Sequence, residues 1–289
     1  MKNSKLNLVA TSLVMSIFSI GAYAGSNEVD TVSDELIATQ RLFLAANTIE
    51  EGFGPLSPRD IDKAGGANGR DFEAAPNYRD MNLCNIHIHG AAAHKGSEFT
   101  TYAGNGDGRG YGTGFLYSGT LTESELADVG IRIGKTEQGA LTSGDTIEVH
   151  YVHNTAKVVP GPTLGACLSE SIMNPQLRVE IQVCVQANDD SALDFIELTT
   201  FDNVDEKYQA LNIASNTGDA VQYAGSTTGP SYNLKGSQWQ VSWSVRAQVT
   251  KVNIKTVGQW LESNVFDKDR LHLVRNLIVN PDILSETGS

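Results

Sequence analysis

The sequence predicts a single, mainly β domain preceded by one helix. Four runs alternate apolar and polar residues as β-strands do, at 83–89, 146–153, 177–186 and 239–254. Glycine is frequent, with 28 in 289 residues, and clusters of Gly, Asn, Asp and Ser stand between the runs, as at 104–114. Short strands joined by long loops are the expected result.

The N-terminal helix is predicted by its capping signals. Ser33 can cap the first turn, and Asp34 and Glu35 place acids at the positive end of the helix dipole. The pattern continues to about Ile49 and ends at the turn-forming run GFGP at 52–55. The rest of the sequence has no other long helical period.

The first 24 residues have the pattern of a secretory signal peptide. Lys2 and Lys5 precede a mostly apolar stretch at 6–20, and the small-residue site AYA follows at 22–24. A membrane anchor is the alternative, but the stretch is short and a cleavage site follows it at once. We expect cleavage near Ala24 and export to a periplasm or to the outside of the cell.

The composition excludes several classes of function. With 21 Lys+Arg against 34 Asp+Glu the formal net charge is −13, so the chain has no basic surface for nucleic acid or an anionic membrane. The sequence gives no support for an oligomer. After the signal peptide we expect a helical segment at 25–51 and one catalytic domain at 52–289.

Three cysteines allow at most one internal disulfide in an exported protein. Cys184 lies inside a strand run, whereas Cys84 and Cys167 lie at the edges of ordered segments. We therefore expect a Cys84–Cys167 disulfide, with Cys184 a buried free thiol. Because no CxxC pair exists, a cysteine-ligated zinc site is not expected.

Two histidine motifs carry the main functional signal. His87 and His89 are two residues apart in a strand run, so both imidazoles share one face with Asn85. Glu148 and His150 share a face of the second run in the same way. Imidazoles from two neighbouring strands can form a metal site of three ligands with one open position.

The alternative interpretation of a His-x-His pair is that the two histidines of the strand are packed or exposed and bind no metal. The added Glu-x-His motif favours the metal site, since Glu148 can hold the free ring N–H of His150. A cupin site would need a glutamate soon after His-x-His, but Glu98 comes nine residues after His89.

The other histidines have weaker signals. His153 faces away from His150 and is expected in the core, and His272 is expected to be structural. His94 follows the His-x-His pair closely. We interpret it as a plain loop residue, with a proton shuttle or a spare ligand as alternatives.

Further segments follow one another in a fixed order. They read GPLSPRDI at 54–61, NIHIH at 85–89, GSE at 96–98, EVHYVH at 148–153 and YAGSTTGP at 223–230. In this order they resemble motifs of the α-class carbonic anhydrases and, more closely, of the δ class and its bacterial relatives. The likeness extends over roughly residues 52 to 260, and the blocks at 160–167 and 174–178 are similar to the δ-like group.

The resemblance implies a central, largely antiparallel β-sheet and a zinc enzyme that reversibly hydrates carbon dioxide to bicarbonate and a proton. The zinc ligands would be His87, His89 and His150, and zinc-bound hydroxide would attack the carbon. Co²⁺ or Cd²⁺ are possible substitutes for zinc.

The same resemblance implies roles for other residues. Thr228 would take the gatekeeper position, and Glu98 would be the carboxylate that accepts its hydrogen bond. Glu148 and Asn85 would support the ligands. The pocket that receives carbon dioxide would be lined by Val152, Thr227 and Trp239.

One departure from the α class concerns proton transfer. In that class a histidine well before the first ligand passes protons to solvent, but no histidine stands between Ile61 and His87. Proton transfer would then need His94, a carboxylate or buffer. Two other functions stay open: a carbonic-anhydrase-like zinc protein without useful turnover, and a zinc hydrolase such as an esterase that uses the same hydroxide.

Overall fold

A six-stranded mixed β-sheet forms the centre of the computed structural model, which describes residues 31–284 except 58, 64, 71, 135–139, 163, 170, 171, 173, 174, 227–233 and 276. The strands in chain order are β1 (Asn82–Gly90), β2 (Thr101–Asn105), β3 (Thr113–Leu116), β4 (Thr146–Asn154), β5 (Leu177–Ala187), β6 (Phe201–Val204), β7 (Lys207–Ala210), β8 (Ala220–Gly225), β9 (Val241–Arg246) and β10 (Thr250–Asn253).

The order in the central sheet is β1-β4-β5-β9-β8, and β10 pairs with the far end of β5. The β1–β4, β4–β5 and β8–β9 pairs are antiparallel, whereas β9 and β10 both run parallel to β5. The pairs β2–β3 and β6–β7 form two small separate sheets. The predicted mainly β, single-domain fold with an N-terminal helix is confirmed, with a sheet that is mixed.

The part of the chain that the structure describes contains four α-helices: α1 (Asp34–Ala46), α2 (Glu123–Leu126), α3 (Phe195–Leu198) and α4 (Ile254–Glu262). Ser33 caps α1 as expected, since its side chain accepts a hydrogen bond from the backbone N–H of Leu36. The apolar side of α1 packs against the C-terminal segment, where Leu44 meets Leu277 and Ile283.

The alternating run at 239–254 is not one strand. It divides into β9 and β10 at a turn in which the N–H of Gln248 donates to the carbonyl of Thr217. The helix α4, which the sequence pattern did not predict, begins directly where β10 ends. Its buried residues recur at helical spacing, but the helix is only 9 residues long.

A β-bulge in β1 decides which side chains face each side of the sheet. The pairing with β4 shifts between Leu83 and Asn85. Leu83 therefore packs in the same core as Ile86 and Ile88, while Cys84 packs in the core on the other face. A bulge inserts one extra residue and changes the alternation of the strand.

The outer edge of β1 is covered by the C-terminal segment. The N–H of His272 donates to the carbonyl of Ile88 at 2.8 Å, and the N–H of Gly90 reaches the carbonyl of His272 at 3.5 Å. This pairing hides an edge that would otherwise expose free backbone groups. It also brings residues 271–273 beside the two histidines of β1.

A disulfide joins Cys84 on β1 to Cys167, across 83 residues of sequence. Cys184 is a free, fully buried thiol on β5, and burial raises its pKa. Within the described residues, no helix is long and apolar enough to span a membrane. The proposed signal peptide, residues 1–24, lies outside the described residues.

Candidate metal centre

The three histidines of the two sequence motifs meet on one face of the sheet. His87 and His150 are directly paired across β1 and β4, and His89 lies one pleat further along β1. One nitrogen from each ring can be chosen so that all three lie within 4.8 Å of one another. The ring centroids of His89 and His150 are 4.4 Å apart. The three side chains could hold one metal ion.

Each histidine uses one ring nitrogen for a hydrogen bond to an oxygen atom. The bonds are His87 Nδ1 to Asn85 Oδ1 (2.8 Å), His89 Nδ1 to the Leu273 carbonyl (2.7 Å) and His150 Nε2 to Glu148 Oε1 (2.5 Å). Since an oxygen of this kind accepts, the bonded ring nitrogen carries the proton and the other keeps its lone pair. Hydrogen bonds of this kind orient metal-binding histidines.

The structure gives an independent sign that a ligand belongs between these rings. Nε2 of His89 is buried and has no hydrogen-bond partner among the described residues. A buried polar atom of this kind is rare unless something else satisfies it. Imidazole nitrogens are the usual ligands of zinc and its transition-metal neighbours, so the donor set fits such an ion.

The surroundings keep the two histidines of β1 neutral. Burial lowers the pKa of His87 and of His89 well below the usual value, and the neighbouring imidazoles lower it further. A neutral imidazole has a lone pair to offer, whereas an imidazolium does not. His87 and His89 are thus in their metal-binding form at neutral pH without having to release protons.

Glu148 is the centre of a buried hydrogen-bond network. Besides the N–H of His150, its carboxylate accepts from the backbone N–H of Ala93 (2.8 Å), from the backbone N–H of His94 (3.1 Å) and from Nδ1 of His94 (3.1 Å). Burial raises the pKa of Glu148, but the two histidines outweigh it and hold that pKa well below the usual value. Glu148 is therefore an ionised carboxylate, and both of its oxygens accept hydrogen bonds.

The network extends from His94 to the opposite side of the site. Nε2 of His94 accepts from the hydroxyl of Tyr223 at 2.6 Å, and that hydroxyl lies 2.7 Å from Oγ of Ser57. Burial lowers the pKa of His94, so it is a neutral ring that donates at Nδ1 and accepts at Nε2. His94 thereby fixes Glu148, which in turn fixes His150.

The comparison with protein families agrees with this geometry. The model of the Delta carbonic anhydrase family matches residues 78–256, which is more than half of the chain. The chain belongs to the delta carbonic anhydrase family. No curated protein matches the chain.

Solved structures similar to this delta carbonic anhydrase family member include three carbonic anhydrases. The α-carbonic anhydrase of Thermovibrio ammonificans, in complex with the inhibitor sulfanilamide, is 12% identical, with a TM-score of 0.27 over 81% of this chain and 86% of that one. The Photobacterium profundum α-carbonic anhydrase is 15% identical, with a TM-score of 0.26 over 78% of this chain and 88% of that one. A halotolerant carbonic anhydrase from Dunaliella salina is 11% identical, with a TM-score of 0.31 over 82% of this chain and 88% of that one. With TM-scores this low, the family assignment rests on the family match alone.

His94 differs from its expected place as a plain loop residue. It is fully buried, with an exposed fraction of 0%, and both ring nitrogens are engaged. A proton shuttle has to exchange protons with solvent, so this position does not suit the alternative shuttle role either. The sequence signal for His94 was its closeness to the His-x-His pair, which says nothing about burial.

Glu98 uses one carboxylate oxygen for a long-range hydrogen bond in this carbonic anhydrase family member. Its Oε2 accepts from the backbone N–H of Val249 at 2.8 Å, just before β10. A carboxylate accepts at both of its oxygens, so this bond is compatible with the expected relay from the gatekeeper to Glu98. Thr228 and Thr227 lie outside the described residues.

The tryptophan beside the ligands is Trp243, where the sequence analysis expected Trp239. The Trp243 ring lies 5.8 Å from that of His150 and 5.9 Å from that of His94, and its Nε1 donates to the Gly225 carbonyl at 2.7 Å. Trp239 instead lines a surface groove together with Phe72 and Gln240. The alternation VSWSV in β9 could have identified the inward-facing tryptophan.

Two more residues complete the surroundings of the triad. Val152 is 2% exposed and lies two residues after His150, so it shares the face of that ligand. His272, which was expected to be structural, stacks on His87 with ring centroids 4.5 Å apart and an interplanar angle of 19°. Its pKa is lowered to about 3, first by burial and then by the charge of Lys268.

Proposed function

We propose that this member of the delta carbonic anhydrase family is a zinc enzyme that reversibly hydrates carbon dioxide to bicarbonate and a proton. The observation that carries the proposal is the meeting of His87, His89 and His150, with one nitrogen from each ring within 4.8 Å of the others. Zinc held by such a set lowers the pKa of a bound water to about 7. Three imidazoles also suit Co²⁺ and Cd²⁺.

The chain's own part in the reaction is to hold the ligands ready. Asn85, Glu148 and the Leu273 carbonyl each fix one ring in a single tautomer and orientation. A site organised before the ion binds loses little energy in reorganising during the reaction. The buried network behind Glu148 gives this orientation its rigidity.

The substrate side of the site is proposed from the face that the ligands share. Val152 and Trp243 supply apolar surface beside His150, which suits a neutral, apolar molecule such as carbon dioxide. We retain Thr228 as the proposed gatekeeper and Thr227 as a proposed pocket residue from the family resemblance. We also retain Glu98 as the proposed partner of the gatekeeper, since the N–H of Val249 uses only one of its two carboxylate oxygens.

We also propose that the protein acts outside the cytoplasm. The disulfide between Cys84 and Cys167 supports this, because disulfides form and persist in oxidising compartments. The signal-peptide pattern at residues 1–24 points the same way. The proposal is tested by producing the tagged protein in cells and separating them into periplasmic, secreted and cytoplasmic fractions. Accumulation of an uncleaved chain in the cytoplasm contradicts it.

Stopped-flow measurement of carbon dioxide hydration tests the proposed reaction. The mature chain is loaded with zinc, its metal content is quantified, and the rate is followed at high and at low buffer concentration. A rate well above background that disappears with the metal and is inhibited by a sulfonamide is the expected result. One zinc per chain with no rate above background contradicts the proposal.

A zinc-binding protein with little turnover is the second candidate. The lack of a histidine between Ile61 and His87, the interval in which the α class carries its proton shuttle, favours it. The same measurement separates the two candidates. Ester hydrolysis measured on the same preparation tests the zinc-hydrolase alternative.

A further inference from the structure

A short segment near the C-terminus, residues 271–274, contacts both histidines of the triad that lie on β1. The N–H of His272 donates to the carbonyl of Ile88 at 2.8 Å, and the carbonyl of Leu273 accepts from Nδ1 of His89 at 2.7 Å. The segment lies beyond residue 256, where the family match ends. Part of the candidate metal centre therefore comes from a stretch of chain to which the family match assigns no role.

The segment is held in place by contacts that do not involve the side chain of His272. Leu271 and Val274, at its two ends, are buried, with exposed fractions of 6% and 0%. The N–H of Val274 also donates to the carbonyl of Gly110 at 2.8 Å. His272 itself is partly exposed. Its ring is thus not needed to anchor the segment, and its position beside the triad calls for another explanation.

The ring of His272 lies almost flat against the ring of His87. The two ring centroids are 4.5 Å apart and the interplanar angle is 19°. The rings of the other two triad members, His89 and His150, meet His87 at the steeper angles of 61° and 53°. Stacking of two aromatic rings at this distance is attractive, so His272 supports one flat face of the His87 imidazole.

The imidazole of His87 benefits from this support because its hydrogen bond fixes only one atom of the ring. That bond joins Nδ1 to Oδ1 of Asn85 at 2.8 Å. A single bond in the plane of the ring leaves the ring able to tilt about the axis of the bond. A second ring against the flat face opposes the tilt, so the lone pair of the other nitrogen keeps its direction toward the point where the triad nitrogens meet.

We propose that His272 is a positioning residue of the metal centre, whose stacked ring holds the imidazole of His87 in the orientation that binds metal. This inference rests on the proposed function, because it requires His87 to be a ligand. An imidazole that binds a metal ion becomes partly positive, and positive charge is attracted to the face of a neighbouring aromatic ring. The stack therefore stabilises the metal-bound state more than the metal-free state.

The first test measures the zinc affinity of the metal-free protein by competition with a chromogenic chelator. His272→Ala removes the ring and lowers the affinity about threefold to tenfold, within the range that an aromatic pair contributes. His272→Phe keeps a flat ring and recovers most of the loss. Val279→Ala shortens an exposed apolar side chain in the same region and is the matched control, with wild-type affinity.

Two results overturn the proposal. Equal zinc affinity in the wild type and in His272→Ala shows that the stacked ring does not position His87. A loss in His272→Phe as large as that in His272→Ala shows that the site requires a nitrogen of His272 and not its flat ring. Because Leu271 and Val274 anchor the segment, both variants are expected to fold, and the thermal unfolding temperatures of the metal-free proteins are measured alongside.

A spectroscopic signature separates positioning from a general loss of stability. The visible absorption bands of protein-bound Co²⁺ report how its ligands are arranged. At saturating Co²⁺ the bands of His272→Ala differ from those of the wild type, whereas His272→Phe and Val279→Ala reproduce the wild-type spectrum. An unaltered spectrum in His272→Ala contradicts the proposal.

The two measurements distinguish failure of this inference from failure of the proposed function. If the zinc-loaded wild type shows no hydration, the proposed reaction fails, and the zinc affinities and Co²⁺ spectra still decide the role of His272. If the wild type retains no metal at all, the metal centre is wrongly assigned and the positioning role of His272 is rejected with it.

Discussion

The carboxylate of Glu148 accepts a 2.5 Å hydrogen bond from Nε2 of His150, two residues further along the same strand. Strand alternation alone places both side chains on one face, and the backbone N–H groups of Ala93 and His94 hold the carboxylate from the other side. The orientation of the third ligand is thereby determined within β4 and secured by the loop after β1.

Replacement of Glu148 by Gln should weaken metal binding by about 10- to 100-fold, the usual effect of removing an oxygen partner of a metal-binding histidine. An amide has one acceptor oxygen where the carboxylate has two, and here several donors converge on it. Competition with a chromogenic chelator measures the affinity. Glu51→Gln, at an exposed position, is the control, and equal zinc affinity in the two variants would show that Glu148 does not orient His150.

Two histidines of β4 offer a matched pair of alanine variants. His150→Ala should abolish metal retention through dialysis, because a three-ligand site loses a third of its donors. His153→Ala should retain one metal per chain, since His153 lies on the opposite face with its ring beside Tyr78. Metal analysis after dialysis, with circular dichroism to verify folding, makes the comparison. Stoichiometric zinc in His150→Ala would reject the assigned ligand set.

Tyr223→Phe should destabilise the protein by about 1–3 kcal/mol, since it leaves Nε2 of His94 and the hydroxyl of Ser57 without their shared partner in a buried site. Chemical unfolding measures the free energy. Tyr78→Phe retains the aromatic ring next to His153 and should cost much less. Equal losses in the two variants would mean that the buried hydroxyl does not hold His94.

Loss of the disulfide should lower the free energy of unfolding by about 4–5 kcal/mol, from the entropy of closing a loop of 83 residues. The double variant Cys84→Ser with Cys167→Ser is compared with the wild type by urea unfolding under non-reducing conditions. Under reducing conditions the difference should become small. Cys184→Ser leaves the disulfide intact and should keep the wild-type sensitivity to the reductant.

The protein should lose stability in acid partly through His153. Burial lowers the pKa of His153 to about 3, whereas the same group in the unfolded chain has a pKa of about 6.5. Between these values the unfolded state binds more protons, so stability falls as the pH falls through 6.5. At pH 5 the loss amounts to about 2 kcal/mol.

His153→Phe removes this proton uptake and should reduce the fall in the free energy of unfolding between pH 7.5 and pH 5 by that amount. Urea unfolding of metal-free protein at the two pH values gives the result without interference from metal binding. Tyr78→Phe leaves His153 in place and should follow the wild-type pH dependence. An unchanged pH dependence in His153→Phe would show that the buried ring is protonated in the folded state.

The ligand triad could be predicted from the sequence because strand alternation is a local rule. It places His87 with His89, and Glu148 with His150, on common faces whatever the rest of the fold does. The bonds from His94 to Tyr223 and from Glu98 to Val249 could not be predicted in this way. They join segments that lie 129 and 151 residues apart, and only the tertiary structure determines which loops meet.

Short elements explain the differences in the fold. The hairpins β2–β3 and β6–β7 have strands of only 4 or 5 residues, too few for a clear alternating pattern. The helix α4 starts at the end of the run 239–254, whose apolar spacing also suits a strand. Within that run, a turn separates β9 from β10, the two strands that pair in parallel with β5. Motif spacing alone does not identify Trp243, because the direction of its side chain follows from the alternation of side chains along β9.

The bulge in β1 determines which face of the sheet each later side chain of the strand occupies. Because Cys84 and Asn85 follow each other on one side of the sheet, the segment before His87 has one residue more than a regular strand would use. Loss or gain of a single residue between Asn85 and His87 would exchange the faces, presenting isoleucines to the pocket and imidazoles to the aliphatic core. Related chains can therefore vary this stretch by substitution, but a change of length there must come in pairs if the site is to survive.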